Sequence, residues 1–459
     1  MTYDYDLAIV GSGGAAFAAA IRASTLGAGT VLIERGEIGG TCVNFGCVPS
    51  KTLLVAADTF HRASSHPFDG VPTSAGSPDL RALIAQKDEL VAGLRTAKYL
   101  DLAADYGFDI IHGQASFVEG DTLRVDGRVV RARAYLVATG AEPAVPDIPG
   151  LREAGYLTST TAMQLEDAPR RLATIGGGFV AMEQGQLFSR LGSEVTIVGR
   201  LAPRAEPELA DWMARVFADD AIRVAPERVV GVERDGDTVV LVTDSGTRVE
   251  TDAVMVAVGR SPRVADLDLD EVGVDLDERG FISVTDEQGT SNPKVFAAGD
   301  VTGGPQFVYT AAAQGTIAAE NALTDSHRKM DYVALPSVIF TSPSLASAGV
   351  TEAEALAAGH QCDCRILELA DVPRAIVNRD TRGAIKLVAD AQSRKVLGVH
   401  AVADNAGELI LAATYAIKFG LTVEDLAGTW APYLTMSEGL KLVAQSFNAD
   451  VGKLSCCAA

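Results

Sequence analysis

Twice in this chain an apolar, strand-like run ends in two glycines and a small residue at fixed spacing. In "DLAIVGSGGAAFAAAIRASTLG" the G-x-G-x-x-A positions are Gly11, Gly13 and Ala16; in "RRLATIGGGFVAMEQGQLFSRLGSEVTIVGR" they are Gly176, Gly178 and Ala181. Few folds use this pattern. The first glycine turns the chain tightly out of a buried strand, the second lets backbone approach a pyrophosphate, and the small third residue allows helix and strand to pack closely. The helix that follows points unpaired N–H groups at the phosphates. In the first unit the next strand, "TVLIERG", ends in Glu34, 23 residues past Gly11, where a carboxylate can accept a ribose hydroxyl. In the second unit the next strand ends in Gly199 and Arg200, with Arg204 close behind and no acid. Two guanidiniums suit a 2′-phosphate. The first site is therefore expected to take a dinucleotide without that phosphate, and the second to take NADP(H).

Between and after these units come shorter markers. "YLVATGAEP" and "AVMVAVGRSP" read as apolar strands closing in turns, suited to crossings between domains, and "VFAAGDV" as a strand ending in Asp300, which can bind a ribityl or ribose hydroxyl. "SSHPFDGVPTSAGSPD" is a loop-like stretch. From about Leu335 the texture changes: "PSVIFTSPSLASAGVT" and "GAIKLVAD…KVLGVHAV" alternate like antiparallel strands, and "AGELILAATYAIKFG" is amphipathic at helical spacing. The chain is thus expected to be α/β, with two Rossmann-like dinucleotide-binding domains and a C-terminal α+β domain whose apolar face suggests dimerisation. The expected boundaries are 1–150, 151–267, 268–334 (returning to the first unit) and 335–459. A net charge of −21 argues against nucleic acid or an anionic membrane as partner. No long apolar run or signal-peptide pattern is present, and six cysteines in 459 residues make no disulfide scaffold, so a cytosolic setting with reduced thiols is expected.

"GGTCVNFGCVPSKTLL" places Cys42 and Cys47 just after the first unit, where Pro49 and the apolar run announce a helix start. A thiol at a helix N-terminus has a lowered pKa, and two thiols beside a flavin can hold two electrons. Lys51 can stabilise negative charge there. This stretch, both glycine motifs, "ATG", "AAGD" and the C-terminal third resemble the flavin disulfide reductase family. The resemblance implies FAD in the first site, NADPH in the second, and Cys42 and Cys47 as the redox pair, with Cys47 nearer the flavin. It implies Ala16, Gly36, Thr41, Lys51, Ala115, Asp300 and Val308 as FAD neighbours and Glu183 as partner of Lys51. It also implies a homodimer whose active sites use residues of both chains.

One departure narrows the reading. Disulfide reductases of this family carry "HPT-x-SE" near the C-terminus, and its His protonates the departing thiolate. Here the segment is "YLTMSEGLK": Glu438 remains, Tyr433 stands in place of His and Leu434 in place of Pro. A phenol with pKa near 10 is a poor proton shuttle at neutral pH. The chain then ends in "KLSCCAA". Adjacent cysteines have Cα atoms about 3.8 Å apart, closer than disulfides prefer, so Cys456 and Cys457 suit a dithiol hook for a soft metal. Together these features resemble the mercuric-reductase branch of the family, with Tyr309 in "QFVYTAAAQGT" as a second tyrosine at the metal site. That resemblance implies Hg(II) as substrate, collected from thiol complexes by Cys456 and Cys457 of one subunit and passed to Cys42 and Cys47 of the other. It leads to the expectation of a catalytic core without a preceding C-x-x-C metal-binding domain. The alternatives are a thioredoxin-reductase-like enzyme with a C-terminal dithiol, or a non-catalytic soft-metal binder. "CDC" (Cys362, Cys364) reads as an incidental surface pair, with a further metal hook as the other possibility.

Overall fold

The structure, a computed structural model, describes residues 2–120 and 122–453; Cys456 and Cys457 lie outside the described residues. Each glycine motif opens a parallel sheet. In the first, strands run in the order Val295–Ala297, Ala132–Val137, Tyr5–Val10, Thr30–Glu34 and Asp109–His112. The second has the order Arg223–Ala225, Glu194–Val198, Arg171–Ile175 and Ala253–Val256. Parallel strands covered on both faces read as continuous apolar runs, as "LAIV" and "LATI" do. The edge strand Val295–Ala297 returns to the first sheet after the whole second unit, so this sheet is completed by distant sequence.

The two stretches expected as crossings meet each other. Ala141–Pro143 pairs antiparallel with Arg260–Pro262, each following a break after a parallel strand. A three-stranded antiparallel sheet accompanies each unit, Ala115–Val130 the first and Val229–Thr251 the second.

The C-terminal sheet is antiparallel, in the order Pro336–Ile339, Ser344–Gly349, Val396–Ala403, Ala384–Asp390 and Cys362–Glu368. Its central strands are buried on nearly every residue rather than alternating, because helices cover both faces. Helix Ala406–Lys418 buries Leu409, Ile410, Ala413 and Ala416 and leaves Leu411 and Tyr415 exposed, with Phe419 just beyond it. Among the described residues no helix is long and apolar enough to cross a membrane.

Candidate active site

The glycines of the two motifs divide by cause. Gly11 and Gly176 have φ of +108° and +110°, and a Cβ on either would stand 2.4 Å from the carbonyl oxygen of Ala138 or Ala257. The fold itself demands glycine at both. Gly13 and Gly178 have ordinary φ values of −81° and −83°. A Cβ on Gly13 would meet only Gly40 Cα at 3.8 Å, and one on Gly178 would meet nothing within 4 Å. Neither helix that starts there, Gly14–Thr25 or Phe179–Arg190, has a side-chain cap. Open space before uncapped N–H groups fits a dinucleotide pyrophosphate at both places. Ala16 and Ala181 are fully buried.

Glu34 ends its strand with both oxygens held: Ser12 Oγ donates to Oε2 at 2.6 Å and the Gly36 N–H to Oε1 at 2.7 Å. Ser12, the variable residue inside G-x-G, was not singled out by sequence. Ala115 is buried in the core cluster that includes Val10, Val31 and Ile33, and its carbonyl accepts from Gln114 Nε2. At the equivalent end of the second unit stands Gly199, with φ +148°. Arg200 and Arg204 are exposed, and among the described residues neither has a hydrogen bond or ion pair. The sequence expectation put Asp300 at a strand end. The strand instead stops at Ala297, Gly299 turns the chain with φ +83°, and Asp300 opens a short 3₁₀ turn. Its carboxylate is half-buried with Arg260 Nε 3.3 Å away, and desolvation raises its pKa against the pull of Arg260.

The cysteine loop is pressed onto the first glycine turn. Gly40 (φ +66°) lies so close that a Cβ there would stand 2.5 Å from Gly13 Cα. Asn44 staples the loop, donating from Nδ2 to the carbonyls of Ile38 (2.9 Å) and Gly40 (3.0 Å). Thr41 and Cys42 thus sit in the short helix Gly40–Asn44, and Cys47 is the first residue of helix Cys47–Ser64, whose N-terminus has no side-chain cap. Both thiols are free. The Cys42 thiol hydrogen-bonds to Cys47 sulfur, which, with Lys51 one turn along, brings Cys47 down to about 7, although its surroundings partly desolvate this solvent-exposed residue. The same bond pushes Cys42 up. These opposite directions make Cys47 the thiolate end of the pair, the direction a helix N-terminus favours.

Lys51 is fixed from the second unit. Its Nζ lies 2.6 Å from Glu183 Oε2 and 4.6 Å from the centre of the Phe340 ring. Glu183 Oε1 accepts the Phe340 N–H at 2.9 Å. Along the same helix face Gln186 exchanges hydrogen bonds with the Ser342 backbone, and Arg190 donates to the Ser342 carbonyl. The loop 340–342 of the C-terminal part is thereby clipped to the helix that begins at the second glycine motif. Sequence reasoning missed this clip, although Glu183, Gln186 and Arg190 show the i, i+3, i+7 spacing of one helix face.

Val308 opens helix Val308–Leu323, with its Cγ2 3.1 Å from the place of a Cβ on Gly14. Next to it, Tyr309 stacks on Phe307 with ring centres 5.2 Å apart and donates its hydroxyl to the Pro336 carbonyl. Burial, then the charge of Cys47, pushes the phenol up to about 12, so Tyr309 stays protonated within electrostatic reach of the thiolate. Tyr433 is exposed, and no described hydrogen bond or ion pair joins it to Cys42 or Cys47. Buried Glu438 accepts the N–H of Leu434, a residue with φ +61°; with no His to orient, it caps backbone. Among the described residues none of the six histidines shares a hydrogen bond or ion pair with either cysteine.

Comparison with known proteins places the fold in one family. The profile of the pyridine nucleotide-disulphide oxidoreductase family matches residues 5–315, and that of its dimerisation domain matches residues 335–444. The chain is 49% identical to mercuric reductase of Lysinibacillus sphaericus, over 99% of this chain and 85% of that protein. It is 50% identical to mercuric reductase of Streptomyces lividans, over 99% and 98%. Among solved structures, the HOCl-induced flavoprotein disulfide reductase RclA from Escherichia coli, as a Cu(II) complex, superposes with a TM-score of 0.87 at 30% identity, covering 98% of this chain and all of that one.

Proposed function

The chain belongs to the pyridine nucleotide-disulphide oxidoreductase family, and from that premise we propose that it is a mercury(II) reductase using FAD and NADPH. Hg(II) gains two electrons, leaving as Hg(0), while NADPH becomes NADP⁺ and releases a proton. FAD, when bound, supplies the two-electron relay between nicotinamide and metal site.

The residues of this chain supply the rest. Gly11, Gly13, Ala16, Glu34, Gly36, Thr41, Ala115, Asp300 and Val308 make the FAD cradle; Gly176, Gly178, Ala181, Arg200 and Arg204 make that of NADPH. Cys47 presents a thiolate at neutral pH, Cys42 gives up its proton as it becomes the second ligand, and the two hold Hg(II). Lys51, locked by Glu183, offsets negative charge on the bound pair. Tyr309 and Tyr433 line the metal's path, and the phenol of Tyr309 keeps its proton. Ligand exchange between thiolates requires no general acid, which is why a site with tyrosine in the histidine position serves this reaction and not disulfide cleavage. The observation that carries the reading is the pair of free thiols Cys42 and Cys47, with Cys47 opening an uncapped helix one turn from Lys51, which Glu183 holds in place.

We place the domains at 1–150 with 268–334 for FAD, 151–267 for NADPH and 335–459 for dimerisation; the return of Val295–Ala297 to the first sheet supports the split of the FAD part. The match to the family's dimerisation domain supports a homodimer. We further infer that Cys456 and Cys457 of one subunit deliver Hg(II) from small-thiol complexes to Cys42 and Cys47 of the other, in the cytosol, without nucleic acid or membrane. The direct test is NADPH oxidation with each acceptor in turn. It should depend on Hg(II) and not on glutathione disulfide, lipoamide or thioredoxin; turnover with a disulfide but not with Hg(II) would overturn the assignment. For delivery between subunits, a Cys42→Ala/Cys47→Ala chain is co-expressed with a Cys456→Ala/Cys457→Ala chain. Random pairing gives one intact site in each heterodimer, so about a quarter of wild-type activity should return. No recovery means the tail acts within its own chain.

A further inference from the structure

Cys362 and Cys364 take no part in the site above. They lie on Cys362–Glu368, the edge strand of the C-terminal sheet. The register sets Cys362 opposite Asp390, Cys364 opposite Val388 and Ile366 opposite Lys386, which in turn faces His400. Residues two apart on a strand share a face, so both thiols stand on the face that carries Lys386. There Lys386 is buried and ion-paired with Glu206 (2.9 Å), Glu208 (3.0 Å) and Glu352 (2.8 Å). The alternate residue Arg365 lies over the Phe447 ring at 4.8 Å on the opposite side. Both cysteines are free and half-buried; burial, then the charge of Glu352, pushes the Cys364 thiol up to about 12, and the charge of Cys362 adds to the rise. Two thiols therefore project side by side from one rigid strand, within electrostatic reach of each other.

Their spacing decides what they can do. Two steps along a strand separate Cα atoms by about 6.7 Å with side chains parallel. That is the upper limit for a disulfide, and parallel Cβ vectors do not converge. The pair stays a dithiol. A linear sulfur–metal–sulfur unit is different: with metal–thiolate bonds of about 2.3 Å, the value for zinc, each sulfur need lean inward by only about 1 Å. Among the described residues no three His, Cys, Asp or Glu side chains are arranged to hold one ion. Four-coordinate zinc and oxygen-seeking cations thus find too few ligands, whereas a soft two-coordinate ion needs no more than two thiolates.

We propose that Cys362 and Cys364 form a second, non-catalytic soft-metal site that binds one Hg(II) as a linear bis-thiolate. Loading breaks two bonds from Hg(II) to small thiols, forms two to the protein, and moves two protons from the cysteines to the departing thiolates; no electron is transferred. The site needs neither nucleotide. The choice of ion rests on the activity proposed above, so the test reads binding alone.

The full-length holoprotein carrying Cys42→Ala, Cys47→Ala, Cys456→Ala and Cys457→Ala keeps Cys362 and Cys364 as its only thiols. It is titrated with HgCl2 by equilibrium dialysis, with free thiols counted by a chromogenic disulfide reagent. The expected result is one Hg(II) per chain, with both thiols lost together by one equivalent. Adding Cys364→Ser should weaken binding at least a hundredfold in competition with a monothiol. Two ions per chain, or both thiols still reactive at one equivalent, would overturn the site. A second measurement does not depend on the fourfold variant folding. Cys362→Ser/Cys364→Ser in the otherwise unchanged protein should bind one fewer Hg(II) per chain, with Hg(II)-dependent NADPH oxidation unchanged; an equal stoichiometry overturns the proposal.

Discussion

Replacing Cys42 with alanine should disarm Cys47 without touching it. Cys47 has a pKa of about 7 against an ordinary value of 9.0, and the leading cause is the hydrogen bond from Cys42. Burial opposes it and the charge of Lys51 supports it, as does a helix N-terminus. Remove the bond, and burial is left to offset Lys51, so the thiol should return toward 9.0. At pH 7 that takes the thiolate fraction from about one half to about one in a hundred. Cys47 opens to solvent, and screening trims the effect, so a rise of at least about one pH unit is the firm expectation. The assay is the pH dependence of Cys47 alkylation by iodoacetamide, read by peptide mass spectrometry on reduced holoprotein. Thiolate is the reactive form, so the wild-type rate should climb through pH 7 and that of Cys42→Ala through a midpoint at least one unit higher. Lys51→Met should shift the midpoint the same way by less. An unmoved midpoint in Cys42→Ala would show that Cys42 does not activate Cys47, and would refute the proposed division of roles between the two thiols.

Other expectations follow from the same geometry. Gly176→Ala places a methyl 2.4 Å from the Ala257 carbonyl oxygen at φ +110° and should cost about 2 kcal/mol or more, seen as a lowered Tm. Gly178→Ala meets nothing within 4 Å, so it should leave Tm unchanged yet raise the KM for NADPH about tenfold by obstructing the pyrophosphate; a normal KM would refute the cradle. Arg200→Ala with Arg204→Ala should raise the KM for NADPH and leave that for NADH unchanged, at about 1.5–3 kcal/mol per lost charge-assisted contact. Equal effects on both coenzymes would refute the 2′-phosphate site. Lys51→Met leaves Glu183, nearly buried, with only the Phe340 N–H and should destabilise by about 1–3 kcal/mol in denaturant unfolding. Adding Glu183→Gln should recover part of that loss.

What sequence alone determined is what depends on local spacing. Gly11 and Gly176 are legible because a tight turn against a neighbouring carbonyl admits only glycine, and that requirement repeats wherever strand, turn and helix repeat. Glu34, Arg200 and the cysteine spacing are legible for the same reason: each lies a fixed number of residues from such a turn. Tertiary structure decided whatever joins distant segments. Sequence could not show that Val295–Ala297 completes the first sheet, or that Ala141–Pro143 and Arg260–Pro262 pair with each other. The clip from Glu183, Gln186 and Arg190 to residues 340–342 has a helical spacing in the sequence, but its partner lies about 150 residues away and is mostly backbone, which carries no side-chain signature. Asp300 was placed at a strand end because "VFAAGD" is apolar up to that point, whereas a glycine at φ +83° ends the strand earlier. Cys362 and Cys364 looked incidental as letters. Only the strand register puts both on one face, with parallel side chains at the upper limit of disulfide reach and suited to a metal between them, because a pleated strand fixes direction and distance together.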